Sequence, residues 1–259
     1  MITSIIAYRN FACRIFALPS SRARSSLGPM TVAATSHTRI SFVRHGVVQH
    51  GQNYYGRLPG TWLGPAGQEQ AQATALVLQA EPVAAVFASP LLRTCQTAMA
   101  IHERHPGIPF AIDDRLLEVF TPFDGEPMAV LEARGFDLYT GVGPPFEQPA
   151  AILARARDFI DDICVRFAGR QVVAVTHGDV ITFLLVWALG HPPEPSAHNR
   201  LAEWGLPEPY PACASITTLH FQTLAGETRL VGASYRNPTS GAWAPALPGV
   251  HDKKDKLAR

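Results

Sequence analysis

Lysine is nearly missing from this chain of 259 residues. The three present, Lys253, Lys254 and Lys256, all fall in the terminal stretch HDKKDKLAR. Lys plus Arg number 22 against 21 Asp plus Glu, a net charge of +1, so nothing draws the chain towards nucleic acid or acidic membranes. A run of about 18 apolar residues, as a membrane-spanning helix needs, is also lacking. Cys13, Cys95, Cys164 and Cys213 form no Cys-x-x-Cys pair. That argues against a zinc knuckle or disulfide scaffold and fits a reducing compartment, the cytoplasm. Acidic residues are missing before Glu69, whereas Arg9, Arg14, Arg22 and Arg24 crowd the start. An acid-free, arginine- and serine-containing start is what a mitochondrial transit peptide would show. The alternative is translation from Met30, with residues 1–29 an upstream extension.

What is present suits a buried core: 47% hydrophobic and 17% charged residues over a length ample for one domain. RISFV (Arg39 to Val43), VAAVFA (Val83 to Ala88) and QVVAVT (Gln171 to Thr176) read as strands that are apolar throughout. A further short strand is expected around Phe110 to Ile112. Helices are expected over Gly64 to Ala80, with Ala71, Ala75, Leu76 and Leu78 inward, and from a Ser89-Pro90 cap to about His105. Two more are expected over Pro149 to Phe167 and Val180 to Leu189. Residues after Glu118 read as loop, and ASITTLHF and TRLVGASY as a terminal antiparallel pair. Apolar strands alternating with helices predict a three-layer α/β/α sandwich, its central sheet mainly parallel with helices on both faces.

Ligands in such folds bind beyond the carboxyl ends of the strands. Arg44, His45 and Gly46 follow the first apolar strand, Ser89, Pro90 and then Arg93 the second, and His177, Gly178 and Asp179 the third. Two arginines, two histidines and nearby helix N-termini make a pocket for a dianion such as phosphate. A neutral imidazole there can attack phosphorus and divide the transfer into two displacements through a phosphohistidine. Such chemistry needs no metal and no cofactor. Glu118 is the best-placed carboxylate to protonate the departing alkoxide. His102 and His105, near a helix end, read as caps, and the four tryptophans as packing. The Pro-rich stretch His198 to Ser215 is a candidate cover for the pocket, with His198 and Arg200 its candidate specificity residues.

From about Arg39 to Leu189 the sequence resembles the histidine phosphatase superfamily, which contains cofactor-dependent phosphoglycerate mutases, broad-specificity phosphatases and α-ribazole phosphatases. The likeness rests on FVRHG, on YGRLPG and the spacing Gly67 to Ala71, on ASPLLRTCQTA, on LLE and on VVAVTHGDVI. It implies that His45 is the nucleophile, that Arg44, Arg93 and His177 hold the phosphoryl group, and that Glu118 donates the proton. It also implies a histidine phosphatase domain over residues 37–238, between a flexible or targeting segment, 1–36, and a polar tail, 239–259.

Two departures stand out. Val47 and Val48 occupy positions where the family often has Glu-Thr, and no asparagine aligns with the one that lines the family's phosphate pocket. Gln52, Asn53 and Arg57 are the candidates to replace it. PFDGEP stands where Gly-x-Trp-Glu-Gly is familiar, which leaves Asp124 and Asp179 as lesser candidates for the acid. The expected activity is metal-independent hydrolysis of a small-molecule phosphate monoester, with no nucleic-acid or membrane partner and the oligomeric state open. Alternatives are a phosphoglycerate mutase-type transferase and an inactive phosphate-binding relative. Arg134, Arg155 and Arg157 read as surface charges rather than as a cradle for a mutase substrate.

Overall fold

The computed structural model describes residues 35–49 and 51–247. The expected start at Met30, the candidate transit peptide and the lysine-bearing stretch 251–259 lie outside them. Four strands run parallel: β1 (Ser36–Arg44), β4 (Val83–Ala88), β5 (Phe110–Ile112) and β6 (Gln171–Thr176). Beyond β1 the sheet continues antiparallel through β7 (Ile216–Leu224), β8 (Glu227–Arg236) and β9 (Trp243–Ala244), in the order β5-β4-β6-β1-β7-β8-β9. A small hairpin, β2 (Val48–Gln49) with β3 (Trp62–Leu63), stands apart. The sheet therefore extends past residue 238, and Leu247 is buried and donates its N–H to the Ala233 carbonyl.

Alternation along the strands builds the two outer layers. Val43, Val86, Ala88, Val173 and Val175 face one side, against α1 (Pro65–Leu78) and α2 (Leu92–His102). Phe42, Ala85, Phe87, Val172 and Ala174 face the other, against α4 (Pro149–Arg166) and α5 (Gly178–Ala188). The three-layer reading and the apolar stripe of α4 both hold in the structure. On α1 the inward stripe is Ala71, Thr74, Ala75 and Leu78. Leu76 is exposed, because one residue beyond Ala75 turns the side chain about 100° away from that stripe.

Three helix boundaries differ from expectation. α2 starts at Leu92 behind Leu91, not at a Ser89 cap, because the Ser89 hydroxyl is held by His177 and Thr94 Oγ1 bonds the Ser89 and Leu91 carbonyls. It ends at His102, whose ring bonds the Ile108 carbonyl, rather than near His105. The segment expected to be loop after Glu118 contains α3 (Met128–Ala133), too short to show a helical period in sequence.

Gly46 and Gly67 let the loop after β1 touch the first turn of α1. A Cβ on Gly46 would lie 2.4 Å from the Gly67 carbonyl oxygen, and one on Gly67 would lie 1.9 Å from that of Val47. Both obstacles are backbone, so neither can swing aside. Gly67→Ala is expected to push this loop off α1 and cost roughly 1–3 kcal/mol, read as a lower urea midpoint with an unchanged m-value.

Candidate active site

Strand register aligns the reactive ends. Arg44 pairs with Thr176 and Ala88 with Val175, so His45, His177 and Ser89 leave the sheet side by side. The His45 N–H donates to the Thr176 carbonyl at 3.1 Å, and the Ser89 N–H to the Val175 carbonyl at 3.0 Å. The two imidazole centroids lie 5.3 Å apart.

His45 is buried, and its Nδ1 sits 2.8 Å from the Gly46 carbonyl, which can only accept. Nδ1 therefore carries the proton and Nε2 the lone pair. Burial, then the charges of Arg93 and Arg44, push its pKa well below the usual histidine value. His177 is lowered the same way by burial, Arg93 and His45. Its Nδ1 accepts from Arg93 at 3.2 Å, and its Nε2 meets the Ser89 hydroxyl at 2.9 Å.

Arg93, on α2, is completely buried. One of its terminal nitrogens also donates to the Gly56 carbonyl at 2.7 Å, and the guanidinium lies 4.9 Å from the Tyr55 ring centroid. Its Nε and other terminal nitrogen have no partner, and among the described residues no carboxylate forms an ion pair with it. Arg44 donates to the Pro211 carbonyl at 2.6 Å and faces the Tyr210 ring, with its Nε unpartnered and buried. A fully buried cation and a partly buried one, each with orphaned buried donors, fit a dianion and little else, since an unpaired buried charge is costly.

Glu118 lies 3.5 Å from His177 Nδ1, and its other oxygen accepts from the Val119 N–H. Burial, reinforced by Asp179, pushes its pKa up to about 7 against the pull of Arg93. Burial would raise Asp179 as well, yet His198 and the hydroxyls of Tyr139 and Tyr210 outweigh it and hold that carboxyl down at about 2. Of these two buried carboxyl groups, Glu118 is the one able to carry a proton near neutral pH. Asp124 is turned to the loop, accepting from the Arg57 N–H at 3.0 Å.

Arg57 does not extend a free guanidinium into the pocket. It donates to the Glu118 carbonyl at 2.7 Å and to Glu147 at 2.8 Å. Arg155, read in sequence as a surface charge, is largely buried and joins the same cluster: it pairs with Glu147 and donates to the Glu118 carbonyl at 3.2 Å. The two arginines clamp the backbone that carries Glu118. Arg134, by contrast, is exposed, and Arg157 lies over the Trp187 ring.

Gln52 and Asn53 are exposed and serve the loop through their backbones, towards Met128 and Pro127. Tyr55 is the residue of this loop that lies beside His45 and Arg93. Sequence reasoning missed Tyr55, Ser89 and Tyr210 as site residues. The doublet Tyr54-Tyr55 before YGRLPG's glycine was the one visible sign. The stretch after His198 does reach the pocket, through His198 and Tyr210, while Arg200 is exposed and pairs with Glu203. Gly178 has to be glycine here: a Cβ would lie 2.0 Å from the Tyr210 hydroxyl.

His45, His177 and Glu118 bring potential ligand atoms within 4.8 Å of one another. That spacing suits a metal ion or a phosphoryl group, and the flanking Arg44 and Arg93 guanidiniums set a field that favours the anion. No helix among the described residues is long and apolar enough to cross a membrane.

The raised pKa of Glu118 has a stability consequence. Its folded value exceeds the ordinary glutamate value of about 4.5, so its contribution is complete below that pH and is lost as pH rises through about 7. Glu118→Gln does not titrate. Its stability relative to wild type should rise between pH 4.5 and 8, by on the order of 3 kcal/mol at most, measured by urea denaturation at each pH.

Comparison with known proteins agrees with this geometry. Residues 40–206 match the family described as histidine phosphatase superfamily (branch 1). A Mycobacterium tuberculosis (strain ATCC 25618 / H37Rv) protein named Uncharacterized protein Rv0525 is 35% identical over 160 residues, 59% of this chain and 76% of that one. The structure of Mycobacterial hydrolase 1 superposes with a TM-score of 0.60 at 26% identity, over 74% of this chain and 96% of its own. Native mycobacterial glucosyl-3-phosphoglycerate phosphatase Rv2419c does so with 0.59 at 25%, over 71% and 91%. The match spans well over half of the sequence and contains Arg44, His45, Arg93, Glu118 and His177: the chain belongs to the histidine phosphatase superfamily.

Proposed function

We propose that this protein is a metal-independent phosphatase that hydrolyses a small-molecule phosphate monoester through a phosphohistidine at His45. The observation that carries the reading is Arg93: fully buried, with two guanidinium nitrogens unpartnered, beside a neutral imidazole whose tautomer is set.

The phosphoryl dianion takes the orphaned donors of Arg93 and Arg44. His177 turns its Nδ1–H towards the same oxygens while Ser89 donates to its Nε2, a switch that a hydroxyl permits. His45 Nε2 attacks phosphorus and the ester P–O bond breaks. The positive charge that develops on the imidazole is spread through Nδ1–H to the Gly46 carbonyl. Glu118, protonated, gives its proton to the departing alkoxide. As a carboxylate it then takes a proton from water, which attacks the phosphohistidine. The P–N bond breaks, phosphate leaves, and neutral His45 and protonated Glu118 return. Donors already in place for the transferring group provide most of the stabilisation.

Phosphatase is favoured over mutase because Arg155 is engaged by Glu147 and the Glu118 carbonyl, and so is not available to a substrate carboxylate. The unpaired Cys95, Cys164 and Cys213 support a cytoplasmic setting.

Purified protein should hydrolyse p-nitrophenyl phosphate in excess EDTA, and His45→Ala should lose the activity by at least about a thousandfold. Rapid acid quench should trap one phosphoryl group on the wild type and none on the variant. Activity unchanged in His45→Ala would refute the reading. Glu118→Gln should impair hydrolysis of an alkyl ester, a poor leaving group, far more than that of the nitrophenyl ester. For the same reason wild-type rates on the alkyl ester should fall as pH rises through about 7, a loss that the nitrophenyl ester largely escapes.

A further inference from the structure

The phosphoryl site opens into a cavity of about 310 Å3, close to the lower bound of roughly 300–1,000 Å3 usual for small-molecule sites. Arg44, Tyr55 and Glu118 form its catalytic end. One wall is apolar: Met128 and Leu131 of α3, then Phe136 and Leu138 of the following turn. Asp179, His198 and Asn199 line the cavity as well.

The charges lining this space are already matched. Arg44 is committed to the phosphoryl group, and His198 Nε2 lies 2.7 Å from Asp179. Among the described lining residues no other cation exists, while Glu118 and Asp179 are both acidic. A carboxylate or second phosphate on the leaving group would lose its water there without gaining a counter-charge. An apolar group would gain the wall, about 25 cal/mol for each Å2 it buries.

Two details sharpen the fit. His198 Nδ1 is buried and has no partner, which makes it a hydrogen-bonding point in a lining whose charges are otherwise matched. Phe136 holds φ at +62°, a region bulky residues seldom adopt, with its side chain partly exposed where the cavity meets solvent. The turn that closes α3 thus keeps an aromatic ring on the rim.

We propose that the leaving group is an uncharged, largely apolar alcohol, aromatic or branched aliphatic, with one hydrogen-bonding group that His198 receives. This rests on the phosphatase reading above and adds the substrate class.

Three primary alkyl esters of similar leaving-group basicity provide the test: 2-phenylethyl phosphate, its ring 4-hydroxy derivative and its ring 4-carboxy derivative. With the full-length protein, kcat/KM for the carboxy ester should fall roughly tenfold or more below the parent. Met128→Arg, on the partly exposed start of α3, should recover much of that loss. The hydroxy ester should have a lower KM than the parent with little change in kcat, an advantage that His198→Phe removes. A carboxy ester as good as or better than the parent overturns the inference and leaves the phosphatase intact. So does hydrolysis of p-nitrophenyl phosphate with none of the three esters turned over. Absence of both turnover and a phosphoenzyme with every ester removes the phosphatase reading, and the inference with it.

Discussion

The parallel pairing of β1 with β6 is the constraint on which everything else depends. Register from Arg39↔Gln171 to Arg44↔Thr176 ends both strands at the same level, and the next residue of each is a histidine. A slip of one residue would turn every side chain of the strand to the opposite face. Phe42 would leave the α4 side, Val43 the α1 side, and the imidazoles would part. Because both faces of the sheet are buried, the hydrophobic pattern enforces this register throughout the two strands. The core and the site are therefore stabilised by the same ladder.

Beyond the strand ends the site is a problem of buried charge. Arg44 and Arg93 are held by carbonyls and aromatic rings, not by carboxylates. The nearby acids are kept out of simple ion pairs with them. Glu118 is made a proton carrier by burial, and Asp179 is kept ionised by three hydrogen-bond donors. Two carboxyl groups in one pocket thus hold opposite protonation states at neutral pH. Burial and local hydrogen bonds produce this division, while burial and the arginine charges lower the histidines and leave room for an anion between them.

The loops matter through their backbones as much as through their side chains. Gly46 and Gly67 meet where no Cβ fits, and Gly178 lies under the Tyr210 hydroxyl. Arg57 and Arg155 seize the Glu118 carbonyl instead of facing outward. These contacts turn an irregular segment into a fixed support for the acid.

The strands, the helices of the two outer layers and the cluster Arg44, His45, Arg93, Glu118 and His177 were legible in the sequence. Apolar periodicity is local, and residues that follow parallel strands must share an edge. Leu76, the start of α2 and the short α3 were misread or missed, because neighbours in space decide which face is inward and which hydroxyl is free to cap. The long-range partners were decided only by tertiary structure. Arg57 and Glu147 lie 90 residues apart, and Ser89 and His177 lie 88 apart. Whether an arginine faces solvent, a substrate or a carbonyl depends on what the fold brings within hydrogen-bonding distance, and no periodicity in the chain encodes that.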